Sequence, residues 1–315
     1  MVGPQRLARP VASRPYSNAE DVGECRKLHR RFGTSYFFST CFFPPEIRRR
    51  THALYGFVRV ADEFADDLES APPEDRARSL AEFRSEFLRG LEGIRPASPV
   101  LRAFCDLVEE CWIPVEEPLV FLDAMESDFE ITRYESYRDL QNYMRGSAVS
   151  VGRMMCSVVG AERGPTVDAA ARALAEAMQL TNFLRDIGED LDRGRLYLPL
   201  EDFRSFGLDP AEVFERRVTP QFLTLMRFEI ARAHALYAEA RGGIGALPLA
   251  ARKPVQIAAT LYENILDRIE ENGYDVFAER ARTSKLQKLR LALPILAKRN
   301  AAFEKRAASF GRDTC

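Results

Sequence analysis

The stretch over residues 177–199, AMQLTNFLRDIGEDLDRGRLYLP, gathers more chemistry per residue than any other part of the chain. Met178, Leu180, Phe183, Leu184 and Ile187 recur at helical spacing, and against them Asn182, Asp186 and Asp190 fall at i, i+4 and i+8. Three oxygen-bearing side chains therefore line one stripe of one predicted helix. Stacked carboxylates repel one another unless positive charge lies between them. Amide and carboxylate oxygens suit Mg²⁺, which keeps part of its water and bridges to phosphate oxygens. Far upstream, in ALYGFVRVADEFADD, Asp62 and Asp66 form a second i, i+4 pair, and Tyr55 and Arg59 continue the row backwards. Two such helices facing each other across a bundle would cage divalent cations and a diphosphate leaving group. A single aspartate pair is usually a solvated helix face. Two rows, each among apolar neighbours and each with an embedded arginine (Arg59, Arg185), argue for a site.

The order of residues is more specific than their number. Gln179-x-x-Asn182-x-x-Arg185-Asp186-x-x-Glu189-Asp190, followed by Gly194-Arg195-x-Tyr197-Leu198-Pro199, resembles the second aspartate-rich motif of the phytoene/squalene synthase family. Asp62-x-x-x-Asp66 resembles the first. The resemblance runs from about residue 31 to 282, and FLDAMESDFEITRYESYRDLQNYMRGSA is most similar to bacterial phytoene synthases. The pattern departs at Arg59-Val60-Ala61, where many relatives carry Cys-Arg, and at Glu63 and Asp67, which alter the acidic end.

The resemblance implies an all-α fold of the isoprenoid synthase type, one large helical bundle around a central apolar cavity. It implies head-to-head joining of two geranylgeranyl diphosphates to phytoene through a cyclopropylcarbinyl diphosphate, prephytoene diphosphate. Mg²⁺, with Mn²⁺ as the alternative ion, is then expected at Asp62, Asp66, Asn182, Asp186 and Asp190, to neutralise the departing diphosphate. Arg59, Arg185 and Arg195 would add fixed charge and Gln179 an amide contact. The resemblance also places Ser35 and Tyr36 near one diphosphate, and Tyr143 and Tyr262 on the cavity wall. Tyr55, Phe57, Tyr143 and Tyr262 are the rings expected to face the carbocation. The final proton goes either to released diphosphate or to a tyrosine hydroxyl. No NADPH is expected. The alternatives are a relative using farnesyl diphosphate (giving presqualene diphosphate, dehydrosqualene or squalene), a terpene cyclase on the same scaffold, and a non-catalytic assembly protein, which should show damaged aspartate motifs.

Composition narrows the rest. With 46% apolar and 29% charged residues the 315-residue chain reads as a soluble globular protein, and a net charge of −2 gives no general attraction to nucleic acid. Six cysteines without a CxxC pair fit a reducing cytoplasm. His29, His52 and His234 lack metal-ligand spacing and read as structural. No apolar run is long enough to cross a membrane.

The elements that must position these residues are helices. Helical spacing, caps and prolines predict them over 20–32, 46–67, 74–92, 100–111, 115–129, 137–159, 209–216, 219–241 with Gly242-Gly243 as a breaker, and 253–272. Asp123, Glu126 and Asp128 read as solvated surface or as support behind the metal ligands. Gly146 and Gly152, inside a helix, imply close approach of another helix or of a ligand. A disordered tail is expected over 1–19, one catalytic domain over 20–300 and a second tail over 301–315. The basic, amphipathic 283–306 suits either a peripheral membrane contact for a lipid product or a solvated helix. The oligomeric state is not written in the sequence.

Overall fold

Prolines and short polar side chains set most of the helix starts. The computed structural model describes residues 15–67 and 71–298. In α1 (Ala19–Phe32) the Asn18 side chain accepts from the Asp21 backbone, while Asp21 accepts from the backbone of Asn18. After Gly33 comes α2 (Thr34–Thr40). Then α3 (Pro45–Asp66), α4 (Pro73–Leu91) and α5 (Pro99–Glu110) each begin with a proline, where no amide hydrogen is needed. Next, α6 (Glu116–Ser127) and α7 (Tyr137–Met144) lead through a π-helical turn, Arg145–Val149, into α8 (Ser150–Val159). The central stretch forms α9 (Pro165–Arg185) and α10 (Ile187–Asp192). It is followed by α11 (Leu200–Ser205), α12 (Pro210–Phe214), α13 (Pro220–Gly243), α14 (Leu249–Glu271) and α15 (Lys285–Ala297). Among the described residues the strand-like pairing is an isolated parallel bridge between Arg133 and Leu196.

Two helices act as hubs. One is α3, which packs on α1, α4, α5 and α8; the other is α9, which packs on α8, α13 and α14, so α8 joins the halves. The first half closes on aromatic rings. Phe57 of α3 stacks on Phe104 at 3.8 Å, with Phe83, Phe87 and Phe121 around it. Each such ring removes roughly 150–250 Å² from water, which makes the cluster a large share of the burial that holds α3 in place.

Several sequence expectations need correction. The helix expected through Asn182, Asp186 and Asp190 breaks at Asp186, whose φ of −102° and ψ of 11° separate α9 from α10. The amides of Asp186 and Asp190 still bond to the carbonyls of Asn182 and Asp186, so the stripe survives the break. Gly242-Gly243 does not stop α13 at residue 241: the helix takes in both glycines and ends at Gly243. A Cβ on Gly243 would meet that of Ala170 at 2.2 Å, so the glycine serves close packing on α9. The glycines of the 137–159 segment have the same purpose: Gly146 lies against Val120 and Ala124, and Gly152 against Ala171 and Ala175. The tail expected over 1–19 is shorter at its inner end. Tyr16 is buried, and its hydroxyl donates to the Gly90 carbonyl. The rest of that tail, residues 1–14, and the one expected over 301–315 lie outside the described residues. No described helix is long and apolar enough to cross a membrane.

Candidate active site

The first acidic row lies on the last turns of α3, where the helix dipole disfavours negative charge. Buried arginines offset this. Arg76 donates to the carbonyls of Phe64 and Ala65, and Arg195 also reaches Ala65. Arg59 pairs with Asp62 at 3.0 Å and with Glu63 at 2.7 Å, while its guanidinium lies 4.2 Å from the Phe32 ring centre. Asp62 lies deep in the protein's mass, yet 37% of its side chain is open to water, so it lines a recess. Burial first, then the charge of Asp66, raises its pKa.

The second row meets the first through Arg195. Gly194, at φ +72°, turns the chain after α10, and Leu196 then pairs with the Thr132 carbonyl. That anchors Arg195, whose Nη1 donates to Asp66 Oδ1 at 2.7 Å across 129 residues of sequence. Its Nη2 reaches the Asp128 carbonyl at 3.2 Å. Asp190 receives Arg193 at 3.3 Å. Its carboxyl is pushed up to about 8 by burial and by Asp186, with Asp66 contributing from the facing row. Asp186 behaves oppositely. Burial alone would raise its pKa, but hydrogen bonds from Arg185 and Arg280 outweigh it and hold the carboxyl below the usual value. Arg280 grips it with two bonds, 2.7 and 2.9 Å.

Rings wall the recess. Tyr36 of α2, Tyr55 of α3 and Tyr262 of α14 lie near one another, with Tyr262 beside Arg185 and Asp186. Burial raises all three phenols. The Tyr36 hydroxyl donates to Met155 Sδ at 3.1 Å. Ser35 precedes Tyr36 on α2, and Gln179 lies on α9 one turn before Asn182; both are half-buried. Tyr143 stands apart from Tyr262, in a cluster with Tyr134, Phe183 and Tyr197. Phe57 does not reach the recess, because it is sealed in the aromatic core.

The sequence reading missed Arg193 and Arg280, and for Asp128 it left two places open, solvated surface or support behind the metal ligands. Asp128 is neither solvated nor remote: it is buried, and its Oδ2 accepts from the Tyr143 hydroxyl at 2.9 Å. Burial drives its carboxyl up to about 7 against the pull of Arg195. The signal was available, since Asp128 continues the buried row of Phe121 and Met125 at i, i+4 and i+7, whereas Asp123 and Glu126 turn outward to Arg84. Arg280 follows α14 in an irregular segment where no periodicity marks it. The arginines at 48–50 are engaged locally, Arg49 and Arg50 with Glu110 and Arg48 with the Phe43 carbonyl.

Among the described residues no three His, Cys, Asp or Glu side chains already converge as a metal cluster. Arginines occupy the carboxylates instead. Two features nevertheless fit a divalent cation: the Asn182 Oδ1 is buried without a hydrogen-bond partner, and Asp62 and Asp190 carry pKa values raised by burial and by neighbouring carboxylates despite their arginine partners. A surface groove of about 550 Å³ between α6 and α7, lined by Val120, Ala124, Arg133, Tyr134, Asn142 and Tyr143, contains none of the four row aspartates.

An all-helical bundle with two arginine-bridged aspartate rows beside a tyrosine-lined recess is the architecture of an enzyme that transfers prenyl groups. The squalene/phytoene synthase family profile matches residues 29–287, and the chain belongs to that family. It is 34% identical over 306 residues to 15-cis-phytoene synthase of Synechocystis sp., covering 92% of this chain and 89% of that protein. It is 34% identical over 281 residues to a chloroplastic phytoene synthase of Daucus carota, covering 88% and 70%. Among solved structures, a dehydrosqualene synthase complex superposes with a TM-score of 0.81 at 26% identity, covering 88% of this chain and 96% of that one. A squalene synthase from Alicyclobacillus acidocaldarius superposes with a TM-score of 0.73 at 28% identity, covering 81% and 95%.

Proposed function

We propose that this prenyltransferase joins two geranylgeranyl diphosphates head to head to form phytoene. The observation that carries the reading is the Arg195 to Asp66 bond, which brings two acidic rows remote in sequence to one place. Kinship with phytoene synthases of plants and of Synechocystis sp. supports the C20 substrate. In the first half-reaction one substrate loses diphosphate, its C1 bonds across the C2=C3 double bond of the other, and a proton leaves to close a cyclopropane. In the second, the remaining diphosphate leaves, the ring rearranges and another proton departs. Two diphosphates and two protons leave in all, so no reductant is needed.

Asp62, Asp66, Asn182, Asp186 and Asp190 would hold Mg²⁺. Bound there, the ion supplies Lewis-acid neutralisation of the charge growing on the leaving diphosphate. Arg59, Arg185, Arg193 and Arg280 give preorganised donors for phosphate oxygens, while Arg195, buried against Asp66 and two carbonyls, holds the rows in register. Tyr36, Tyr55 and Tyr262 line the recess, exclude water and offer ring faces to positive charge. The Tyr143 and Asp128 pair holds a proton between a phenol and a carboxyl raised to about 7, which suits it to accept and pass on a proton lost from carbon. Ser35 and Gln179 complete the polar contacts to diphosphate.

Purified protein with Mg²⁺ should convert geranylgeranyl diphosphate to a C40 conjugated triene whether or not NADPH is present. Hydrocarbon from farnesyl diphosphate alone would assign a C15-using member of the family instead. Asp186→Ala should abolish turnover while leaving the helical circular-dichroism signal in place. Near-normal turnover would remove Asp186 from the mechanism.

A hydrocarbon product also calls for a lipid surface. On α15, Leu286, Leu289 and Leu293 are 77%, 47% and 61% exposed at i, i+3 and i+7, and Lys285 and Arg290 flank the stripe. The protein should float with phosphatidylglycerol vesicles, and a triple Leu→Ser variant should not. Equal flotation of both would exclude α15 as the contact.

A further inference from the structure

Two histidines that the reaction does not use are enclosed beside the recess. His29 of α1 and His52 of α3 place their Nδ1 atoms 3.0 Å apart. We propose that this pair is a positioning device for the tyrosine wall: it fixes the ring of Tyr55, and with it Tyr36, where the prenyl diphosphate binds. The proposal rests on the recess being the substrate site.

The His29 ring stacks on Tyr55 with centroids 4.1 Å apart and planes 11° from parallel, and it meets the Tyr36 ring at 5.2 Å. A phenylalanine could stack as well, but nothing would fix the rotation of its ring, which is soft about its terminal torsion. The bond to His52 supplies that constraint, and Phe37 in turn stacks on His52 with centroids 5.6 Å apart. Gly33 makes the approach possible. A Cβ there would lie 2.8 Å from both His29 Cδ2 and Tyr55 Cε2. The pair works as a neutral strut, because only one proton fits between two Nδ1 atoms at hydrogen-bond distance. The groups facing it are the rings of Tyr36 and Tyr55 and, around His52, the cations Arg26 and Arg48; no carboxylate stands among them to hold an imidazolium against burial. Burial accordingly holds His29 down to about 3 and His52 to about 4.

The test is calorimetric titration of the full-length protein with a non-ionising thiolo analogue of geranylgeranyl diphosphate. Thermal unfolding is measured alongside. His29→Ala should raise Kd by roughly threefold to tenfold, the scale of one lost aromatic pair. His29→Phe should recover part of that loss, since the ring returns without its orienting bond. Gly33→Ala, whose φ of −97° tolerates alanine, should also raise Kd by wedging the two rings apart, and it serves if His29→Ala does not fold. A purely structural histidine would lower the melting temperature and leave Kd of the folded protein unchanged. That result in both His29→Ala and Gly33→Ala overturns the proposal. Wild-type protein that binds the analogue but forms no hydrocarbon from the true substrate would overturn the assigned reaction and leave the strut standing. Wild-type protein that binds no prenyl diphosphate would overturn both.

Discussion

Three aspartates close together here have three different electrostatic fates. Asp186 is held ionised by Arg185 and Arg280, Asp190 is pushed up to about 8, and Asp128 to about 7 beside a tyrosine hydroxyl. Residue type is constant, so the environment sets the role. Asp128→Asn separates that role from stability. A carboxyl whose folded pKa exceeds its unfolded value binds its proton more tightly in the fold; its penalty is absent below about pH 4 and grows as pH rises through 7. Urea unfolding at pH 5 and pH 8 should therefore show wild type losing stability relative to Asp128→Asn as pH rises. Comparing the two proteins cancels the similar trends of Asp190 and Glu229, both raised by burial. Turnover by the variant should fall by roughly 100-fold or more if the Tyr143 and Asp128 pair handles a proton. Parallel stability profiles would show that the buried charge carries no penalty.

At the scale of elements, small residues set how closely helices approach. The two glycines ending α13 make a controlled pair. Gly242 has open space where a Cβ would go, so Gly242→Ala should stabilise by up to about 1 kcal/mol through helix propensity. Gly243→Ala meets Ala170 and the Thr166 carbonyl, and should cost about 1–3 kcal/mol by overpacking. Opposite shifts in melting temperature are the expected outcome, and shifts of the same sign would refute the close contact of α13 with α9. The π-helical turn at Arg145–Val149 belongs to the same scale. Glu117, buried on α6, pairs with Arg145, the first residue of that turn, and with Arg153 beyond it on α8, tying the turn to the neighbouring helix.

Across the whole molecule, Arg195 joins what the chain keeps apart. Its guanidinium bonds to Asp66 on α3, to the Ala65 carbonyl and to the carbonyl of Asp128 after α6, with only 6% of the side chain exposed. Arg195→Ala would leave the partly buried Asp66 carboxylate and two buried carbonyls without their donor, at a cost of about 1–3 kcal/mol. Arg195→Lys should recover only part, since an ammonium lacks the planar fork that reaches several acceptors. Urea unfolding of the three proteins checks this. Full recovery by lysine would show that charge alone, without the fork's geometry, holds the two rows together.

Amphipathic spacing, caps and prolines made most of the helices legible, because each is a local property of a few neighbouring residues, though not α2, α11 or the first half of α9. The order of residues around Asp62 and around Asp186 was equally legible, and with it the family and the chemistry to look for. Arg280, the break at Asp186, the packing of Gly243 and the stacking of His29 on Tyr55 were not. A buried carboxylate or a stacked ring takes its character from atoms that arrive from distant parts of the chain, and the one-dimensional pattern does not record which atoms those are. The sequence by itself settled which residues could serve a diphosphate leaving group, and only the tertiary structure decided which of them meet, because the bond from Arg195 to Asp66 joins atoms 129 residues apart in the chain.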